Sequence, residues 1–585
     1  MLAALLVSAL VVLVAYLYGW GALAVWARIS GQPWGTSGAS LPLPITALAG
    51  LVVLAAGSGV WALFDGLGAA AFFALLACAA VIAVLRRHAL GPGLRREAAE
   101  LRAAGPLGWL LLAAGVLFVL ARTAGPVESY DAGSYHAPLI RWLETYGFVP
   151  GLGNLHGRLA LSAGWLVPSA LFSFAWLGGR SLHLLNGTLL LLLLLWGATA
   201  LGAWRRGERR ASVLLRLLLP LLGLRFFGNW LSSPSPDVAA AALVWIAGVL
   251  GLELTEGAED ERAETGDRRA AALALLAGFA VAVKLSVLPI VLLPLFLAGA
   301  GIARGQPRRA AALAAALALP LAPAIAQSVV TSGYPLFPLP WIDPFELDWE
   351  VPRARVEGYV DWIRSWALLP NRPQEEALAM PFQEWLALWW EHLRWPFSGA
   401  VLAILLLAPL RLLLVTMRRL TGRPSLPRVA CERVALHLTV WAGALFWFLT
   451  APAPRFGWGF AVLLALLLAL PLLATTVRRL PAAALAALLL AALAWEAWQV
   501  HGWEPEAFPD AARHARLPAD YPRPSTRRVV LGGIAVQVPI ENDQCWYEPF
   551  PCTPTPDPRL TPRGADLADG FRVRPELSAS ASGHD

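Results

Sequence analysis

Apolar runs of about 18 or more residues recur along the whole of this 585-residue chain, and each is long enough to cross a bilayer. A soluble fold of this size needs a polar coat. Only 15% of the residues are charged, against roughly 25% in an ordinary globular domain, while 58% are hydrophobic. The chain therefore reads as an all-α polytopic membrane protein with about 14 transmembrane helices. The spans fall at 2–26, 43–63, 68–86, 107–122, 181–203, 213–228, 237–254, 270–285, 287–301, 309–329, 396–415, 434–450, 456–476 and 481–499. The runs 270–285 and 287–301 are short for two crossings. Disorder, collagen-like repeats and a disulfide scaffold are excluded, and no solenoid period is visible.

The charge gives the topology. The net charge is +7, and Lys284 is the only lysine among 46 basic residues. Arginines cluster in short segments between apolar runs, at Arg86 to Arg102, Arg205 to Arg216, Arg262 to Arg269, Arg304 to Arg309, Arg418 to Arg433 and Arg478 with Arg479. Short basic loops mark the cytoplasmic side, so the charge is a topology signal. With no basic-aromatic stripe, nucleic acid is not a partner. No charge precedes Arg28, so the first run reads as a membrane helix rather than a cleaved signal peptide. The run 160–178 is apolar enough to span. Counting it would place Arg205, Arg206, Arg209 and Arg210 outside, so it is read as lying at the outer interface.

This parity leaves 123–180, 330–395 and 500–585 outside. An Ala-, Leu- and Arg-rich composition points to a GC-rich bacterial genome. The expected location is the bacterial inner (cytoplasmic) membrane, multi-pass, with the C-terminal tail extracytoplasmic. The chain divides into N-terminal transmembrane helices (1–104), a transmembrane module with the first outer loop (105–330), a large outer loop (331–395), C-terminal transmembrane helices (396–499) and a tail (500–585).

In the first outer loop, Tyr135, Leu139, Trp142, Leu143 and Tyr146 share one helical face. In the large loop, ARVEGYVDWIRSWALL and FQEWLALWWEHLRW also have helical spacing, and eight of the chain's 27 tryptophans lie there. Trp favours the headgroup layer. Helices resting on the membrane are therefore the favoured reading of the Trp cluster, and a roof over a site is the alternative. In the tail, RRVVLGGIAVQVP is strand-like, and residues 525–575 read as a small irregular domain reached by a linker. Cys545 and Cys552 are seven apart in a Pro-rich stretch on the oxidising side, which favours a disulfide; zinc lacks a second Cys or His pair nearby. Cys78, inside an apolar run, reads as a buried small hydrophobe, and Cys431 lies in a basic loop.

Six polar groups sit at the outer ends of the spans, where charge is expensive and usually functional. They are Glu128, Asp131, Tyr135 and His136; Asn154, His156 and Arg158; Asn229 to Asp237; Lys284; residues 331–338; and Arg455 in APAPRFGWG. Each has a plain reading. Asp131 and Asp237 can cap helices, Lys284 can snorkel, Arg455 can anchor a turn, and the histidines can be hydrogen-bonded loop residues. Together they favour a charged, lipid-attached substrate.

An acid in the first large outer loop, the D-x-x-x-Y of Asp131 and Tyr135, and the helices after it resemble the GT-C superfamily of integral-membrane glycosyltransferases. The protein O-mannosyltransferase and lipid A aminoarabinose transferase branch is the particular likeness. Residues 133–146 and 160–178 resemble that branch's two interfacial helices. GGRSLHLLNGTL, with Arg180, is similar to its re-entrant segment, and AVKLSVLP to its Lys-bearing break. The resemblance covers roughly 105–300. SGYPLFP, the 348–367 stretch, APAPRF and CWYEPFPCTP resemble a bacterial group of multi-span proteins of unknown activity.

That resemblance implies an inverting glycosyltransferase that moves a sugar from a polyprenyl-phosphate donor to an acceptor of unknown class at the outer face. Asp131 is the expected general base, with Glu128 standing in for the family's second acid, which is Ala132 here. Lys284, Arg158 and Arg455 are expected on the donor phosphate, and Tyr135, His136, Asn154, His156 and Asp237 on sugar or acceptor. No cofactor is certain; Ala132 leaves a divalent metal open. The competing readings are a transporter or flippase of a lipid-linked anion and a non-catalytic envelope assembly protein.

Overall fold

A computed structural model describes residues 1–30, 41–256, 259–421, 431–503, 506–547 and 549–574. Of the basic clusters, Arg423 and Arg428 lie outside the described residues, as do the side chains of Arg262, Arg418 and Arg419. Thirteen helices are long and apolar enough to cross a membrane, and the protein is an all-α polytopic membrane protein. Helices dominate because hydrocarbon offers no partner for a free N–H or C=O, and a helix satisfies both internally.

The awkward pair resolves into one long and one composite element. Helix Glu259–Val283 starts well before the apolar run and carries Asp267, Arg268 and Arg269 at its charged end. It packs along Pro236–Glu253 and is not one of the thirteen. Lys284 then takes an extended backbone (φ −159°, ψ 124°), and the chain continues as a 3₁₀ turn, Leu285–Val291, and helix Leu292–Ala303. The break expected at Lys284 is present.

Helix Pro236–Glu253 is the axis of the bundle: every residue from Pro236 to Leu252 is buried. Leu2–Ile29 and Leu43–Trp61 meet closely, because a Cβ on Gly50 would stand 1.7 Å from the Ala15 carbonyl oxygen, so only glycine fits. At the periphery, Phe397–Leu420 turns Leu405, Leu406 and Leu412 outward, where lipid is the natural solvent. Cys78 is also exposed on an outer helix face, so its reading as a buried hydrophobe is corrected. An apolar run predicts an apolar environment but does not separate protein interior from lipid.

Successive crossings bring Met1, the two long loops and the described part of the tail to one end of the bundle. There the Met1 amino group donates to the His514 carbonyl at 2.8 Å. The turns around Arg205 to Arg210, Arg304 to Arg309 and Arg478 with Arg479 lie at the opposite end. The run 160–178 does not cross. It breaks into Leu166–Leu171, where 166–173 are buried inside the protein, and Ala175–Gly178, which has no buried residue, so the single interfacial helix is corrected to one short internal helix and one short helix at the surface.

The tail contains a hairpin, Thr526–Leu531 with Ile534–Pro539, turning at Gly532 and Gly533, and a second ladder, Leu560–Pro562 with Phe571–Val573. It does not hang from a linker. Phe571 N–H donates to Pro150 (2.9 Å), Thr553 Oγ1 to the Leu155 carbonyl (2.7 Å) and Trp546 N–H to Gly133 (2.7 Å), so the tail is seated on the first outer loop. Cys545 and Cys552 form the expected disulfide, with Cα atoms 5.8 Å apart. In unreduced protein, maleimide is expected to label Cys431 and spare both tail cysteines. Closing so short a loop contributes about 2–3 kcal/mol by chain entropy. Labelling of Cys545 or Cys552 without reductant would contradict the bridge.

Candidate functional site

Four charges from four distant segments meet at the loop-bearing end. Asp131 ends the approach from the fourth span. Its carboxylate does not cap the turn that follows; Oδ2 instead accepts from Arg455 Nη1 at 2.5 Å. Arg455 is 3.7 Å from Asp237 Oδ2, and Asp237 Oδ1 accepts from Lys284 Nζ. The order is Asp131, Arg455, Asp237, Lys284, alternating in sign and neutral in sum. The four side chains are 4% to 21% exposed, so water does little to screen them.

Local sequence explains each placement. Asp131 precedes a π-turn, Ala132–His136, a rare feature that recurs at functional sites. Gly133 within it lies flat under Trp546; a Cβ there would stand 2.5 Å from the indole. Asp237 sits in the first turn of the axial helix, where Ser235 caps its N–H and the helix dipole favours a negative charge. Lys284 occupies an extended residue between two apolar segments, with Nζ 3.8 Å from the centroid of the Phe456 ring. Arg455 opens a short turn, Pro454–Gly457, after the span Cys431–Thr450.

Two further residues complete the frame: Asn186, which sequence reasoning did not single out, and Trp366 of the large-loop Trp cluster. Asn186, fully buried, donates from Nδ2 to the carbonyls of Ser233 (2.6 Å) and Ser235 (3.1 Å) and accepts from Trp165 Nε1 (2.8 Å). It fixes the turn that presents Asp237; its one visible signal is a lone amide at the start of an apolar run. Trp366, on helix Arg353–Leu368, lies 4.6 Å over the Arg455 guanidinium, while Trp362 from the same face lies 4.7 Å over Arg158. These two rings lie over arginines of the protein, as the roof alternative requires. Trp385 and Trp389 instead pack with Trp447 and Phe448 and donate to the Leu368 and Pro452 carbonyls, a structural role.

The other expected site residues separate. Tyr135 and His136 lie beside the ionic chain with ring centroids 4.2 Å apart. Arg158 does not join it; it pairs with Asp543 of the tail at 3.1 Å. Asn154 is a structural tie, donating to the Trp349 (2.8 Å) and Phe571 (3.4 Å) carbonyls. Glu128 is exposed, unlike Asp131. Arg180 donates to the Pro518 carbonyl and faces Asp520 at 3.6 Å, so it holds the tail. Glu144 accepts from Ser181 and Tyr547 beneath the tail, and burial raises its carboxyl above the usual range. As to a divalent metal, among the described residues no group of three or more His, Cys, Asp or Glu is arranged to hold one. Arg455 already lies between the two carboxylates, so these residues do not fit such an ion.

Burial alone would raise the Asp131 carboxyl, but its neighbours, Arg455 foremost, hold it below its ordinary value, and it stays ionised. Burial lowers His136 to about 4, and His156 and His183 to about 3, from an ordinary 6.5. All three are neutral when folded. A depressed base costs stability where only the unfolded chain binds the proton, so stability falls as pH drops from 6.5 toward 4. The slope is about 1.4 kcal/mol per pH unit for each histidine. The apparent melting temperature in detergent is expected to fall steeply between pH 7 and 5; a flat profile would contradict neutral burial.

The fold and its paired-charge site define a multi-pass, all-helical membrane protein with a polar centre at one end of the bundle. The chain belongs to a family described as a domain of unknown function, DUF8201, whose model matches residues 1–462. That region holds Asp131, Asp237, Lys284 and Arg455 and stops short of the tail. No curated protein and no solved structure matches the chain.

Proposed function

We propose that the protein is an inverting glycosyltransferase that moves a sugar from a polyprenyl-phosphate donor to a hydroxyl acceptor at the outer face of the membrane. One observation carries the reading: Asp131 and Arg455, 324 positions apart, pair within a charge chain that also includes Asp237 and Lys284. A carboxylate beside two cations is what attack by a hydroxyl and departure of a phosphate require.

In the resting site Arg455 and Asp131 neutralise each other. A donor phosphate entering beside Arg455 and Lys284 competes for the guanidinium, which forks well onto phosphate oxygens. Asp131, released, faces the acceptor. The acceptor oxygen attacks the anomeric carbon from the side opposite the phosphate, and its proton passes to Asp131. The bond from the anomeric carbon to the phosphate oxygen breaks, with its electron pair leaving on polyprenyl phosphate. Lys284 and Arg455 face the growing negative charge, and Asp237 holds both cations in place. Arg158, which faces Asp543, is left out of this scheme.

The test uses the full chain in lipid nanodiscs, a panel of polyprenyl-phosphate sugars with a radiolabelled sugar, and a cell-envelope fraction as acceptor source. The expected result is release of polyprenyl phosphate with label incorporated into acceptor. If no donor in the panel turns over and polyprenyl phosphate does not bind saturably, the reading is wrong.

A further inference from the structure

Beside the ionic chain lies a second set of polar groups that the proposed transfer step does not use. Buried polar atoms nearly always have a hydrogen-bond partner. Here Ser134 Oγ, both ring nitrogens of His136, His156 Nε2 and the Tyr359 hydroxyl are buried without one among the described residues. Ser134 and His136 are at most 1% exposed and His156 is 8% exposed. The groups are contiguous. His156 bonds the Ser134 backbone, Tyr359 faces Arg158 and is within electrostatic range of Asp131, and His136 is within that range of all four charges of the chain.

Their chemistry narrows the ligand. The ring nitrogen that His156 gives to the Ser134 backbone carries the proton, so in the neutral imidazole Nε2 only accepts. Its partner must donate a hydrogen. Tyr359 and Ser134 can each donate and accept. Neutral His136 needs one donor and one acceptor. The nearby cation, Arg158, faces Asp543 at 3.1 Å, and its Nη1 is a further buried donor without a hydrogen bond. A set that both donates and accepts, beside a cation whose charge Asp543 balances, suits several neutral hydroxyls on one rigid frame. Tyr359 and Trp362 add stacked rings, centroids 5.6 Å apart; Arg158 lies over Trp362 at 4.7 Å, and the 36% of Trp362 that is exposed offers apolar surface to a sugar.

We infer that His156, Tyr359, Ser134 and Trp362 form a subsite for a neutral saccharide, and that the acceptor is a glycan rather than a polypeptide hydroxyl. This rests on the proposed transferase reading, but saccharide binding at the subsite does not require turnover.

The experiment measures binding to the full chain in nanodiscs by fluorescence anisotropy. The probes are fluorescein-tagged neutral mono- to tetrasaccharides, a tagged Ser/Thr peptide and, in competition with a tagged analogue, undecaprenyl phosphate. At least one saccharide is expected to bind. Tyr359→Phe, which removes one hydroxyl, and His156→Ala are each expected to weaken it about 3- to 10-fold, the scale of one hydrogen bond. Undecaprenyl phosphate affinity is expected to change less than about twofold, which also shows that the variants are folded. The proposal is overturned if no saccharide binds, if the peptide is preferred, or if both variants bind as the wild type does, the result expected where only water occupies these groups. Saccharide binding without undecaprenyl phosphate binding would sink the transferase reading and leave the subsite standing.

Discussion

Asp131→Asn is expected to cut sugar transfer about 100- to 10,000-fold, the range that a positioned general base supplies. Asn keeps the shape and one oxygen that can accept from Arg455, but has no basic carboxylate to take a proton. The fold should survive, because Arg455 still faces Asp237 at 3.7 Å and the turn around Asp131 is held by the backbone bond from Trp546 to Gly133. The readout is label transfer from polyprenyl-phosphate sugar, alongside melting temperature and undecaprenyl phosphate binding. Loss of transfer with binding retained is the expected pattern. Residual turnover within tenfold of wild type would remove Asp131 as base, while normal envelope function without turnover would favour an assembly role.

Asp237→Ala should have the largest effect on folding. Asp237 is 4% exposed and is the partner shared by Lys284 and Arg455. Removing one member of a buried ion pair strands the other charge, at a cost of about 3–5 kcal/mol. Here Lys284 is stranded outright, since Arg455 keeps Asp131. Adding Lys284→Met should restore most of the loss, because a neutral pair leaves no unpaired charge to desolvate. Chemical unfolding in mixed micelles for the two single variants and the double gives the coupling directly. Additive losses would mean that the pair contributes nothing to the fold.

The membrane character, the location of the breaks and the meeting of Asp131 with Lys284 and Arg455 were legible in the sequence, because each rests on the cost of charge next to hydrocarbon. Lys284 at an extended residue and Asp237 in a first helical turn are both consequences of that cost. Cys78 was misread because the signal is symmetric: a lipid-facing helix and a buried one have the same composition. Asn154 and Arg158 do not join the charge chain, for a different reason. A polar residue in an outer loop serves equally well to bind substrate or to tie loops together, and only the partners decide. For Asn154 these are the Trp349 and Phe571 carbonyls, and for Arg158 the tail's Asp543. Asn186 and Trp366 act through contacts made across long sequence distances, which no local pattern encodes.

The alternating order of the four charges has a consequence for how the protein is made. Synthesis delivers Asp131 first, Asp237 and Lys284 together across one helical hairpin, and Arg455 last. The Asp237–Lys284 pair can close as soon as that hairpin inserts. Asp131 has no counter-ion until more than three hundred further residues have left the ribosome, and only afterwards does the tail cover its turn. Nascent chains halted before residue 455 should therefore be those most dependent on insertion chaperones, with the centre assembled as one of the final events of biogenesis.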